Sequence, residues 1–297
     1  MKDRTLKQVS YTFLAGPAIF IYAAVIVFPI LYSFVLSFME WGGSGIPKFV
    51  GIANYVSMFR DPIFLHGLRN NAGIILISVF GQIPLGFVLA YILYRKLVRA
   101  SGFFQAMIFL PIVIAPIVVA ILFKQFFSPS GMFTEVIRWW TGNPNYVMTI
   151  FQNKQWGIVP ILFVVLWMYT GLYMIIFLAN LQKISASIIE AAVIDGATES
   201  QILVKIILPS MIGILFTTAV YAIAGSMKSF DLVWAMTGGG PAHYTEVISI
   251  YMYNNTFQYY KYGLGSAVSM VIVFFSMGFV TILRHIFEQF EKKYGYE

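Results

Sequence analysis

Six stretches of this chain are each long and apolar enough to cross a lipid bilayer: Phe13 to Phe38, Ala72 to Tyr94, Phe104 to Phe127, Gly157 to Leu181, Ile207 to Leu232 and Tyr262 to Leu283. A helical span needs about 20 mainly apolar residues to cover a hydrocarbon core of about 30 Å. Within that core every backbone amide and carbonyl must find a partner inside the protein, which leaves such stretches one practical solution, a helix bundle. With 59% hydrophobic residues, 10% charged residues and a mean hydropathy of +0.80, the composition is far from that of a soluble globular domain. The expectation is an all-α integral membrane protein with six transmembrane helices.

Orientation follows from Lys and Arg. A net charge of +7 in a soluble protein would suggest nucleic acid as a partner, but in a membrane chain these residues sort the loops between the two sides, and no nucleic-acid partner is expected. Lys2, Arg4, Lys7, Arg95, Lys96, Arg99, Lys183, Lys205, Arg284, Lys292 and Lys293 fall on one side, eleven in all. Lys48, Arg60, Arg69, Arg138, Lys154 and Lys261 make six on the other. The excess places both termini, the 95–99 connection and the loop after the fourth stretch in the cytoplasm. The first stretch has a basic start like a signal peptide, but its apolar run exceeds the roughly 7 to 15 residues of such a segment, and it reads as a retained span. The implied division is a cytoplasmic amino terminus over 1–12, a six-span domain over 13–283 and a cytoplasmic tail over 284–297.

Aromatic residues gather at the span ends, with Trp41 and Tyr55, then Trp139, Trp140 and Trp156, then Tyr259, Tyr260 and Tyr262. Their amphipathic rings suit the headgroup level. Pro29, Pro84, Pro111 with Pro116, and Pro160 lie within apolar stretches, where each removes a backbone donor and is expected to bend its helix. No internal repeat of the kind that builds many secondary transporters is evident.

Catalytic chemistry finds little support. The chain has no Cys, which removes disulfides and thiolate metal sites. His66, His243 and His285 are far apart and form no metal-binding spacing. The Gly238–Gly240 run lacks the Gly-Lys-Ser/Thr ending of a phosphate loop, so no catalytic residue, metal or cofactor is expected in this chain.

Between the fourth and fifth stretches, over 184–206, the pattern changes. Ser185 to Ser187 can cap a short helix whose apolar members Ile188, Ile189, Ala192 and Val193 recur at helical spacing, with Glu190 and Asp195 as its acids. Gly196 suits a sharp turn, and Thr198 to Gln201 can open a second helix leading through Ile206 to Leu208 and Pro209. The product is a helix-turn-helix at the membrane surface. Small Ala191 and Ala192 permit close approach by another backbone, and Glu190 can pair across a contact.

Glu190-Ala191-Ala192, Gly196 and Ile206-x-Leu208-Pro209 together resemble the signature loop of the membrane subunits of bacterial ATP-binding-cassette (ABC) importers. Phe49 to Tyr55, Phe109 to Pro116, Phe230 to Val233 and Thr237 to Glu246 are similar to the carbohydrate branch, of the first-permease type seen in maltose and glycerol-3-phosphate importers. The resemblance implies the six-span core of a type I importer permease with a cytoplasmic coupling helix between spans four and five. Glu190, Ala191, Ala192, Asp195, Gly196, Leu208 and Pro209 would seat in an ATPase subunit. It further implies a second related permease, two ATPase subunits that use ATP and Mg, an extracytoplasmic binding protein, and a sugar crossing the bacterial inner membrane. Larger members of this type carry extra amino-terminal spans and a large outside domain, whereas this chain starts at the first of the six.

Candidates for the solute path are Trp167, Tyr169, Tyr173 and Asn180 on the fourth span, with Tyr221 and Ser226 on the fifth, since a pyranose needs ring faces and hydrogen-bonding groups. Lys228 and Asp231, three residues apart, are expected to share one helix face and to pair. An ion-coupled secondary transporter is the alternative, resting on Asp231 alone, and a membrane enzyme would need clustered acid, base or metal groups.

Overall fold

The computed structural model describes residues 15–294. The expected cytoplasmic segment 1–12 lies outside the described residues, as do the side chains of Lys292 and Lys293. In chain order the helices are α1 (Ala15–Leu36), α2 (Ala53–Arg60), α3 (Pro62–Tyr94), α4 (Ser101–Val113), α5 (Pro116–Phe126), α6 (Met132–Thr141), α7 (Val159–Leu181), α8 (Ala186–Ile194), α9 (Glu199–Ser210), α10 (Ile212–Met227), α11 (Asp231–Thr237), α12 (Ile248–Tyr253) and α13 (Tyr262–Tyr294). Strands β1 (Met39–Glu40) and β2 (Lys48–Phe49) form one antiparallel pair.

Helices α1, α3, α7 and α13 are long and apolar enough to cross a membrane, and the pairs α4–α5 and α9–α10 join them if each is one bent span. The bends are 94° and 63°. The first is explained by Pro116, which has no amide hydrogen and drives Ala115 before it out of the helical region (φ −55°, ψ +131°), next to an extended Ile114.

Proline has three outcomes in these helices. Pro29, Pro84 and Pro209 each follow a π turn, over Ala23–Val27, Ser78–Gln82 and Leu203–Ile207. The carbonyl four residues before each proline lies inside that wider turn, which takes up the extra residue that the ring displaces. Pro111 lies inside α4 near its end. Pro160 does not bend a helix as expected; it occupies the first turn of α7, where no amide donor is needed.

The contacts divide the described chain into two compact units. One comprises the residues up to Asp61 together with Tyr251–Val273. There Asn54 Nδ2 donates to the Ser37 and Met39 carbonyls at 2.9 and 2.8 Å, closing the end of α1 against α2, and the Tyr251 hydroxyl donates to Asp61 at 2.7 Å.

The other unit, Pro62–Ile250 with the residues from Phe274 onward, holds the main core around α3 and α7. Small residues set its close approaches. A Cβ on Gly86 of α3 would stand 2.8 Å from Tyr173 Cβ and 3.0 Å from Met174 N, and one on Gly171 of α7 would stand 2.2 Å from the Ile108 carbonyl oxygen of α4. Between lipid-bathed helices such contact replaces the hydrophobic drive available in water.

Candidate functional site

The second unit places most of the expected path residues around one cavity. Its volume is about 180 Å³, and Tyr169, Tyr173, Tyr221, Ser226, Lys228 and Asp231 line it, from α7, α10, the break that follows α10 and the start of α11. Tyr169 and Tyr173 are one helical turn apart and share a face of α7. Tyr173 is buried, Tyr169 half-buried and Tyr221 exposed.

Ser78 and Gln82 are among the lining residues that were not anticipated. They come from the π turn of α3, four positions apart in an apolar setting, a polar pair that could have marked a cavity face. Gln82 Nε2 donates to the Val165 carbonyl of α7 at 2.7 Å, and Ser226 Oγ lies 3.2 Å from Ser78 Oγ. Asn71 Nδ2 donates to the Ser226 carbonyl at 2.9 Å. These bonds tie α3, α7 and α10 into one polar frame inside an apolar bundle, where an unpaired group costs several kcal/mol.

Trp167 and Asn180 stand elsewhere. Trp167 is about 200° around α7 from Tyr169 and packs its ring against Phe123 at 5.3 Å, in a separate apolar groove. Asn180 lies two turns beyond Tyr173, where its amide donates to the Ile176 carbonyl and its oxygen accepts from Lys183. Lys228 and Asp231 do not share a helix face: α10 ends at Met227, α11 begins at Asp231, and no ion pair joins the two. The chain breaks at Phe230, whose backbone leaves the helical region (φ −131°, ψ −62°). A cavity thus bears one ammonium, one carboxylate, several hydroxyls, an amide and three phenol rings, a mixture suited to holding a polyhydroxylated solute by stacking and hydrogen bonds.

The loop after α7 forms the expected helix-turn-helix. Helix α8 begins after Ser185, although the Ser185 hydroxyl bonds to that of Ser187 at 2.7 Å and caps no amide. It ends in a Schellman turn: Gly196 N donates to the Val193 carbonyl and Ala197 N to the Ala192 carbonyl, with Gly196 at φ +79°. Thr198 and Gln201 then form a complete capping box that starts α9. Ile189 is buried and packs with Leu181, Ile202 and Ile207, which holds the hairpin down. Glu190, Ala191 and Asp195 are exposed, Ala192 is half-buried, and Ile194 is 85% exposed. Leu208 and Pro209 are half-buried directly after the π turn of α9.

Glu199, at the polar start of α9, accepts from the Tyr91 hydroxyl and from Arg95 Nη2, the latter at 2.6 Å. The Tyr91 hydrogen bond, followed by the Arg95 guanidinium, holds its carboxyl below the usual carboxylate range.

Residues 82–294 match the family described as binding-protein-dependent transport system inner membrane component. The probable ABC transporter permease protein YurN of Bacillus subtilis (strain 168) is 31% identical over 274 residues, covering 91% of this chain and 93% of that one. The lactose transport system permease protein LacF of Rhizobium radiobacter is 34% identical over 263 residues, 87% of each chain. The fold matches a chain of a bacterial ABC transporter involved in the import of the acidic polysaccharide alginate, with a TM-score of 0.81 at 21% identity over 96% of this chain and 99% of that one. A multi-pass helical chain with a polar cavity and an exposed helix-turn-helix, matched over most of its length, belongs to the family of binding-protein-dependent transport system inner membrane components, the permeases of ABC importers.

Proposed function

We propose that this permease carries a neutral sugar or short oligosaccharide inward, forming half of the path with a second, related permease. The observation that carries this reading is the cavity of Tyr169, Tyr173, Ser226, Gln82, Lys228 and Asp231, whose ring faces and hydrogen-bonding groups fit a pyranose and whose opposite charges balance. Relatives named as permeases for lactose and for multiple sugars support it. In this reading each bent helix pair is one span, making six, and both termini face the cytoplasm of a bacterial cell at its inner membrane.

Helix α8 is then the coupling helix. Its exposed Glu190, Ala191, Ile194 and Asp195 seat in a separate ATPase subunit, and Leu208 and Pro209 pass its displacement to the bent span that follows. ATP and Mg belong to two such subunits, and a binding protein outside the cell delivers the sugar. Coupling requires that α8 make different contacts in the two states of the motor, so a weakened seat separates hydrolysis from transport.

The test is uptake of labelled lactose and a panel of other neutral sugars by the reconstituted complex. ATP-dependent uptake that survives collapse of the proton gradient is expected. Uptake that stops on collapse while ATP remains would replace this reading with ion coupling.

A further inference from the structure

Helix α6 has an apolar face that the described residues leave exposed. At about 100° per residue, Met132, Val136, Trp139 and Trp140 fall within one arc of the helix. They are 68%, 54%, 85% and 82% exposed. The adjoining arc, Phe133 and Ile137, is half-buried, with Phe133 packed edge-on to Phe127 at 5.3 Å. The remaining side is polar: Glu135 pairs with Arg138 at 2.6 Å, Arg138 donates to the Tyr146 carbonyl at 2.8 Å, and Thr134 donates to the Ser128 carbonyl at 2.9 Å. The helix is thus firmly held, with its apolar side only half used.

The unused arc continues into a groove. Phe133 of α6 joins Leu122, Phe126 and Phe127 at the end of α5 and Val159, Phe163 and Trp167 of α7 around an apolar space of about 660 Å³. Leu122, Val159, Phe163 and Trp167 are themselves 62%, 39%, 51% and 43% exposed. Phe163 and Trp167 lie on a helix of membrane-crossing length and composition and Leu122 within the bent pair α4–α5, and the groove joins their exposed apolar surface to that of α6. Trp139 and Trp140, in the last turn of α6, are side chains that favour a headgroup boundary, with a ring for the acyl region and an indole amide for water.

From this geometry we infer that α6 lies in the plane of the membrane interface as a lipid-binding helix. Met132, Val136, Trp139 and Trp140 enter the lipid, and a phospholipid acyl chain occupies the groove beneath Phe133. The occupant is lipid and not a protein partner because the stripe carries no charge or hydrogen-bonding group besides the indoles, and because it continues surface that a bilayer must cover. The inference does not depend on which solute is carried.

The chain's lack of cysteine makes the test direct. Single Val136→Cys, Glu135→Cys and Thr141→Cys variants of the full chain are nitroxide-labelled in dioleoylphosphatidylcholine nanodiscs. The label at 136 is expected to relax more strongly with oxygen than with a water-soluble nickel chelate, and those at 135 and 141 the reverse. A label at 136 open to the chelate, or shielded from both relaxants by protein, overturns the inference. A second measurement needs no label: phosphatidylcholine brominated along its acyl chains should quench the wild type more than Trp139→Phe/Trp140→Phe. Equal quenching would count against lipid contact.

Discussion

Arg95 Nη2 and Glu199 Oε2 meet at 2.6 Å, joining the end of α3 to the first residue of α9. These side chains are 28% and 52% exposed, so the pair adds little to stability, about 1 kcal/mol or less. Its value lies in position. Helix α3 runs unbroken from this contact back to Gln82 and Ser78 in the cavity wall, while Glu199 lies just beyond the Gly196 turn that ends α8. On the proposed function, a displacement of the α8–α9 hairpin therefore has a short polar route to the cavity. Arg95→Ala or Glu199→Gln should leave folding and assembly near wild type but lower the sugar moved per ATP hydrolysed. The charge-exchanged pair Arg95→Glu/Glu199→Arg should recover part of that ratio. An unchanged ratio in both single variants would dismiss the route. The lowered carboxyl keeps its contribution above the ordinary carboxylate value of 4.5, and the contact is lost as pH falls through the lowered folded value.

Gly196 is held at φ +79°, yet a Cβ there would meet nothing within 4 Å. The cost of a side chain is thus conformational, about 1–2 kcal/mol for an ordinary residue and more for a β-branched one. Gly196→Val should loosen the end of α8 and reduce co-purification of the ATPase subunits roughly tenfold for each 1.4 kcal/mol lost. Gly196→Asn, which tolerates the left-handed region, should be milder. Membrane insertion should be unchanged in both, as judged by yield in the membrane fraction.

Within the cavity, Tyr173→Phe and Ser226→Ala each remove one hydroxyl. Loss of a hydrogen bond worth about 0.5–1.5 kcal/mol should weaken apparent sugar affinity about 2- to 13-fold. Trp167→Phe, on the opposite side of α7, should leave it unaltered. Concentration-dependent uptake would separate the two classes, and a loss at Trp167 equal to that at Tyr173 would contradict this assignment of faces.

The extent to which this arrangement is legible in the sequence depends on how local its causes are. Gly196 and the Thr198–Gln201 cap act within a few residues, and both turns form where their residue types demand. The break at Phe230 does not, since no proline or glycine marks it. The Ser249 hydroxyl, about twenty residues away, bonds the Ser229 carbonyl freed there. In the same way α3 begins at Pro62 and not near Ala72 because the polar side chains of its first turns are satisfied from a distance: Asn70 donates to the Tyr244 and Glu246 carbonyls, and the Asn71 oxygen accepts from Ile248 N. Hydropathy counts those residues as a loop, whereas tertiary partners make them helix. Gln82 and Ser78 were missed for a related reason, because a polar side chain in an apolar run shows its direction only once the neighbouring helices are known.

Gly171 offers the sharpest packing test. Its absent side chain lets α4 pass with the Ile108 carbonyl oxygen 2.2 Å from where a Cβ would stand, and that atom is backbone, with little freedom to retreat. Gly171→Ala should cost at least the roughly 1–3 kcal/mol of an overpacked core, and Gly171→Leu should abolish folding. Gly73 is the control: a Cβ there meets only the Leu162 methyl groups, at 3.7 and 3.9 Å, which is ordinary contact. Gly73→Ala should keep the wild-type melting temperature in detergent while Gly171→Ala falls by several degrees. Equal melting temperatures would mean that α4 and α7 do not pack through this glycine.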